Sequence, residues 1–329
     1  MTPVGPVPVT IVTGFLGSGK TTMLNRLLRS PALADTVVIV NEFGEVGLDH
    51  LLIEQAIENT VLLKNGCICC TVRGDVADTL ETLWRQRAAG AIPRFSRIAI
   101  ETTGLADPGP VAHALIPEAG ASYACALDGI VTTVDAVHGI QTLARHEEAR
   151  RQVALADRIL LTKTDITPDT AALEAAIARL NSQAGTRPIR GGVTAEDVFG
   201  LGPTASPRHW LGDHNHGHDH HDHHAHADDF DTTLVTWEAP VAWPALLLWL
   251  DSILSLRGAA ILRLKGLVQV AGEAAPVVLQ GVHHVVHPLA RLPAWPEGRA
   301  RTQIVLITQG VSGVGLQASF ADAMGAVRQ

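Results

Sequence analysis

"VPVTIVTGFLGSGKTT", Val7 to Thr22, decides how the rest of the chain is read. A β-branched run passes through a glycine-rich loop into the helical pattern "TTMLNRLLRS". Within it "GFLGSGKTT", Gly14 to Thr22, fits G-x-x-x-x-G-K-[ST] in the strand–loop–helix setting where that motif has a mechanism. Gly14, Gly17 and Gly19, with Ser18 between them, let backbone N–H groups face a β-phosphate, and the helix start adds a positive dipole end. Lys20 is expected to reach the β- and γ-phosphates, and Thr21 to hold Mg²⁺ through its hydroxyl. Thr22 completes the nucleotide-binding residues of this loop. Pro8 interrupts the run, which predicts that the strand proper starts near Val9.

Outward from this loop the pattern repeats. The runs "TVVIVNEFG", "NTVLLKN", "SRIAIETTG", "DGIVTTVDA", "DRILLTKTD" and "TRPIRGG" alternate with amphipathic stretches such as "DVADTLETLWRQRAAG" and "PDTAALEAAIARLN". Apolar strands alternating with helices predict an α/β fold, a mainly parallel sheet covered by helices. Composition changes at "DHNHGHDHHDHHAH", residues 213–226, too polar to order itself by burial. Beyond it, "FDTTLVTWE", "AAILRLKGLVQV", "APVVLQGVHHVVH" and "TQIVLITQG" read as strands and "WPALLLWLDSILSL" as a helix, with a short helix near the end. The expected domains are a P-loop NTPase domain over 1–205, a His-rich flexible linker over 206–229 and a small α+β domain over 230–329.

Two strand ends extend the phosphate site. "RIAIETTG" closes on Glu101, where an acid can sit beside the Mg²⁺ shell, and Gly104 can let backbone approach a γ-phosphate. "LLTKTD" ends on Asp165, whose carboxylate can accept from both N1–H and N2–H₂ of guanine. Adenine offers no such pair and would leave a buried acceptor unmatched. The stem of Lys163 can lie along the base. Thr162 stands where the usual guanine motif has Asn. These residues together point to GTP.

Three of the four cysteines fall in "LLKNGCICCTVRGD", as Cys67, Cys69 and Cys70; Cys125 stands alone and reads as packing. In an extended strand Cys67 and Cys69 share a face and Cys70 points away, so the three converge only where the chain bends, which Gly66 eases. Three thiolates make an incomplete tetrahedral site, and an open fourth position suits a carrier better than a structural centre. Thiolates favour Zn²⁺ or Cu⁺, with Co²⁺ and Ni²⁺ also within their range. A vicinal Cys69–Cys70 disulfide, a redox sensor and plain packing by small thiols are the competing readings.

Six ordered stretches, "GFLGSGKTT", "NEFGEVGLD", "NGCICC", "ETTGLADPGP", "VDAVHG" and "ADRILLTKTD", resemble the CobW-type GTPases, relatives of the nickel-handling GTPases of hydrogenase and urease maturation. The resemblance spans nearly all of residues 8–165, and the His-rich segment and small C-terminal domain follow the same plan. It implies a GTPase that moves a transition metal, zinc first, to a metal-dependent client protein. It also implies that "NEFGEVGLD" is a switch, with Glu42 near the Mg²⁺ and Glu45 near the transition metal. On that basis Lys20, Glu42 and Glu101 are the expected catalytic residues, Glu42 orienting the water. Glu45, Cys67, Cys69 and Cys70 are the expected transition-metal ligands.

The totals limit the alternatives. The chain has 329 residues, 47% of them hydrophobic, and a net charge of −8, which implies no basic surface for nucleic acid. No apolar stretch is long enough to cross a membrane. The N-terminus lacks the charged start of a signal peptide, so the cytoplasm, where thiols stay reduced, is the expected location. His214, His216, His218 and His220 are expected to bind divalent ions weakly, as a buffer for the cysteine site or as a solvated segment. His283, His284 and His287 in "GVHHVVH" read as strand residues. A homodimer is compatible with this reading. Two other functions stay open: a storage or sensing protein that uses GTP as a state marker, and a cobalt-handling protein of cobalamin biosynthesis.

Overall fold

The computed structural model describes residues 6–28, 30, 33, 35–41, 60–62, 68–72, 76–116, 123–190, 192–202, 230–296 and 300–326, with backbone alone at 41, 60–62, 68–72 and 326. The chain divides into two compact units. One comprises Met1–Gln152, Ala156–Leu173 and Thr186–Gly200; the other comprises Val153–Leu155, Glu174–Gly185 and Leu201–Gln329.

In chain order the elements up to residue 200 are β1 (Val7–Gly14), α1 (Lys20–Leu28), β2 (Thr36–Asn41), β3 (Thr60–Leu62), β4 (Ile68–Val72), α2 (Val76–Ala88), β5 (Arg97–Glu101), α3 (Gly109–Ala114), β6 (Cys125–Asp135), α4 (Gly139–Arg145), α5 (Glu147–Leu155), β7 (Arg158–Thr162), α6 (Ala171–Leu180), β8 (Gly185–Pro188) and α7 (Ala195–Val198). Eight strands form one sheet in the order β3-β4-β2-β5-β1-β6-β7-β8. From β4 to β7 the pairings are all parallel, and β3 joins β4 antiparallel. The central strands are apolar throughout because both faces are covered: Val9, Ile11, Ile98, Ile100, Ile130 and Ile159 are fully buried. Helix α1 turns Met23, Leu24 and Leu27 inward, and α2 turns Val76, Leu80 and Leu83, the spacing of one helical face.

Two details of this sheet differ from the sequence-based expectations. First, β1 begins at Val7, not Val9. Its pairing with β5 starts at Val9, whereas β6 already pairs with Val7, whose N–H donates to the Ala124 carbonyl at 2.9 Å. Alternate residues of a strand bond to alternate sides. The missing N–H of Pro8 therefore faces the side where β5 has not begun, so the ladder loses nothing. Second, "ICCTV" is a strand, β4, paired on one side with β2 and on the other with β3.

The second unit carries β9 (Phe230–Trp237), α8 (Trp243–Arg257), β10 (Ile261–Val268), β11 (Val277–Val282), β12 (Val285–Val286), β13 (Ala290–Arg291), β14 (Thr302–Gln309) and α9 (Gly313–Ala326). The strands pair antiparallel in the order β12-β11-β10-β14-β9, with β13 on β11. Trp249 and Phe320 meet edge to face at 4.8 Å in a core shared with Leu246, Leu264 and Leu306. The opposite face of the sheet packs Leu267, Val278, Leu292 and Val305. His283, His284 and His287 are not strand residues: the first two form the two-residue turn between β11 and β12, His283 with φ 52°, and His287 follows the end of β12. Valines on both sides extend the two strands and leave the histidines to make the reversal.

Candidate functional site

The carboxyl ends of β1, β5, β6 and β7 lie side by side. Val12 is in register with Glu101, Gly14 with Thr133, and Asp135 with Thr162. This is the edge of a parallel sheet where ligands bind. The phosphate loop leaves it at Gly14, whose φ is 142°. A Cβ there would lie 2.4 Å from Thr133 Oγ1 and 2.7 Å from Ser18 Oγ, so the loop closes only with glycine. Ser18 and Thr133 share a hydroxyl hydrogen bond of 2.7 Å. Gly17 and Gly19 lie on the same loop, and Thr22 is exposed on the first turn of α1.

Lys20 is buried beneath the loop, its Nζ donating to the carbonyls of Gly14 at 2.7 Å and Phe15 at 3.2 Å. Burial lowers its pKa, and the nearby Glu101 carboxylate works in the opposite direction. A buried ammonium resting on neutral carbonyls is poised to exchange them for an anion. Beside it, Thr21 Oγ1 donates to Glu101 Oε1 at 2.6 Å. A hydroxyl and a carboxylate at this separation, with all oxygen donors, fit a small hard cation such as Mg²⁺.

After Glu101 the chain crosses the phosphate loop. A Cβ on Gly104 would stand 2.8 Å from the backbone N and Cα of Leu16, so this turn rests on the loop's own backbone. Thr102 ties the turn to β1, its N–H donating to the Val12 carbonyl at 3.0 Å and its hydroxyl to Thr13 Oγ1 at 2.8 Å.

At the end of β7, Thr162 spends its hydroxyl on the Ser18 carbonyl at 2.7 Å. A threonine in place of asparagine thus keeps a strut to the phosphate loop. Lys163 sits at φ 56°, and its Nζ donates to Asp135 Oδ2 at 2.5 Å. Asp165 is exposed on the following turn. Asp135 Oδ1 accepts from the backbone N–H of Val137 at 2.7 Å, which fixes the carboxylate. Sequence reasoning assigned no role to Asp135; an acid closing a buried strand, as at Glu101, was the available signal. Nor did it single out His146, whose ring lies 4.5 Å from that of Phe15 in the phosphate loop.

The backbones of Cys69 and Cys70 belong to β4, in register with Val38 and Ile39 of β2 and with Val61 and Thr60 of β3. Cys67, Glu42, Glu45, His214, His216, His218 and His220 lie outside the described residues. Cys125 is buried, and burial pushes its thiol pKa up to about 12, as befits a packing residue.

Residues 8–189 match the family described as CobW/HypB/UreG, nucleotide-binding domain, and residues 230–324 match the cobalamin synthesis protein cobW C-terminal domain. The chain is 33% identical to the zinc chaperone YjiA of Escherichia coli (strain K12), over 96% of this chain and 98% of that one. It is 40% identical to the zinc-regulated GTPase metalloprotein activator 1 of Schizosaccharomyces pombe, over 49% of this chain and 40% of that one. The crystal structure of Zn(II)-bound YjiA GTPase from E. coli superposes with a TM-score of 0.72 at 28% identity, covering 97% of this chain and 99% of that one. With both matched regions in order along the chain and the phosphate loop built as described, this protein belongs to the CobW/HypB/UreG family of nucleotide-binding proteins.

Proposed function

We propose that this protein is a GTP-hydrolysing zinc chaperone, which binds Zn²⁺ as cargo and transfers it to a metal-dependent client protein. The observation that carries the nucleotide half is the Thr21–Glu101 pair beside the buried Lys20 at the mouth of the phosphate loop. The cargo half is supported by the names of the relatives, one of them matched along nearly its whole length.

On GTP binding, Lys20 would trade the Gly14 and Phe15 carbonyls for the β- and γ-phosphates. Thr21 and Glu101 would hold Mg²⁺, which supplies charge neutralisation on the phosphates. Asp165 would accept the guanine N1–H and N2–H₂, with Lys163 along the base and held there by Asp135. In hydrolysis a water oxygen bonds to the γ-phosphorus, the bond to the β–γ bridging oxygen breaks, and the water proton leaves with the phosphate. Backbone amides of the loop and Lys20 stabilise the developing charge. Glu42 follows directly on β2, whose Val40 is in register with Glu101, and is the candidate to orient that water.

Cys67, Cys69 and Cys70, with Glu45, are the candidate Zn²⁺ ligands. Loss of the γ-phosphate releases the switch, withdraws Glu45 and opens the cargo to the client. Residues 1–205 act as the GTPase domain, 206–229 as a loading segment for the metal, and 230–329 as the part that recognises the client. No helix among the described residues is long and apolar enough to cross a membrane. A cytoplasmic location fits thiols that must stay reduced.

The test is a Zn²⁺ and Co²⁺ titration of the metal-free protein with GTP–Mg²⁺, with GDP–Mg²⁺ and without nucleotide. Wild type is run beside a Cys67/Cys69/Cys70 triple serine variant lacking residues 213–226. A thiolate-type Co²⁺ spectrum that needs the cysteines, with affinity differing between GTP and GDP, is the expected result. Cysteine-dependent binding indifferent to nucleotide would turn the reading to storage or sensing.

A further inference from the structure

Gln152 lies in α5, 1% exposed, and none of the roles assigned above falls on it. Its backbone carbonyl accepts from Thr132 Oγ1 at 2.7 Å, so the residue is anchored on β6. Its Nε2 donates to the Gly104 carbonyl at 3.2 Å and the Ala106 carbonyl at 3.0 Å. Both N–H groups of the side-chain amide are thereby used. Its Oε1 is buried and has no partner among the described residues. An apolar side chain would avoid the cost of that orphaned acceptor, so packing alone does not account for a glutamine here.

Both carbonyls belong to the turn that rests on Leu16 of the phosphate loop. The turn is tied at its start by Thr102 and at its end by Asp107, whose Oδ1 accepts the Gly109 N–H at 2.7 Å. Gln152 holds the middle. A trans peptide sets its C=O and the next N–H in opposite directions. With the Gly104 and Ala106 carbonyls drawn toward α5, the N–H groups of Leu105 and Asp107 point away from it.

We propose that Gln152 is a positioning residue for recognition of the terminal phosphate. By fixing two peptide planes of the Gly104 turn, it presents the turn's amide edge to a phosphate beyond the β-position and sets the preference for a nucleoside triphosphate over a diphosphate. This rests on the nucleotide site proposed above and assigns the triphosphate selectivity of that site to a residue outside it.

The experiment compares full-length wild type with Gln152→Met, similar in length but without donors, and Gln152→Glu, which offers the carbonyls no N–H. Calorimetric Kd values are measured for GDP and for GTPγS with Mg²⁺, together with kcat and Tm. In both variants the GDP Kd is expected to stay within about twofold, while GTPγS weakens and kcat falls by about tenfold, the scale of two lost neutral hydrogen bonds. Equal weakening of both nucleotides, or of neither, would make Gln152 a structural residue and overturn the proposal. Wild type that binds neither nucleotide would overturn the underlying reading and the proposal with it, a result seen before any variant is made. Hydrogen exchange on wild type gives a check independent of variant folding. Stronger protection of the amide at 105 with GTPγS than with GDP is expected, and equal protection would contradict the assignment.

Discussion

At the scale of single residues, Lys20 and Glu101 show how burial prepares a charge for a ligand. Lys20 is desolvated and rests on two carbonyls, so a phosphate can replace weaker partners without moving the loop. Lys20→Ala should lower GTP hydrolysis by about 10²- to 10³-fold, the scale of removing one preorganised charge-stabilising donor, measured as phosphate release at saturating GTP. A loss below about tenfold would remove Lys20 from the catalytic set. Cys125 offers a different test. Its folded pKa of about 12 lies above the ordinary value of 9.0, so the folded state keeps a proton that the unfolded chain gives up. Its contribution is complete below pH 9 and is lost as pH rises from 9 toward 12. Between pH 8 and pH 10, wild type should lose about 1 kcal/mol more stability than Cys125→Ala, read from urea unfolding. Parallel curves for the two proteins would show that the thiol is not held protonated. The candidate residues legible from sequence were those in fixed spacing: Gly14, Lys20 and Thr21 on one loop, and Glu101 at a strand end; Asp165, expected at another, lies on the turn beyond β7. Gln152 was not legible, because nothing in an amphipathic helix says which polar side chain will be buried.

At the scale of elements, the site is a consequence of where parallel strands stop. Strands β1, β5, β6 and β7 were readable as apolar runs because each is covered on both faces. Strand β4 was not, since "ICCTV" becomes a strand through pairing with β2 and β3, which lie elsewhere in the sequence. The same non-locality hid the ion pair between Asp135, at the end of β6, and Lys163, just past the end of β7. With Thr162 committed to the Ser18 carbonyl, Asp135 is what holds Lys163, which the proposed nucleotide site lays along the base. Asp135→Asn should reduce the preference for GTP over ATP by about fivefold. The effect is modest because Lys163 remains partly exposed and an ion pair in that setting contributes about 1 kcal/mol or less. The ratio of the two dissociation constants is the measurement, and an unchanged ratio would make the pair a structural tie between strand ends.

At the scale of the whole molecule, the composition break at residues 206–229 suggested where one domain ends and the next begins. The compact units divide less simply, since Val153–Leu155 and Glu174–Gly185 group with the C-terminal sheet. Sequence composition reports where the chain is polar, whereas compactness depends on which segments meet after folding. These two views make different demands on a fragment covering residues 230–329. Among the described residues, every buried member of the core around Trp249 and Phe320 falls between Val235 and Met324, so the fragment holds that core. Its sheet is built from antiparallel pairs, and among the described residues every strand of it lies within 230–309. The fragment alone should therefore unfold in urea as one cooperative transition, with tryptophan fluorescence and far-ultraviolet circular dichroism coinciding. Phe320→Ala should destabilise it by about 3–5 kcal/mol, because the ring fills a site against Trp237 and Trp249 that the backbone cannot collapse to close. Separate transitions for the two probes would mean that the sheet needs the segments at 153–155 and 174–185 to complete its fold, and the domain would then begin well before residue 230.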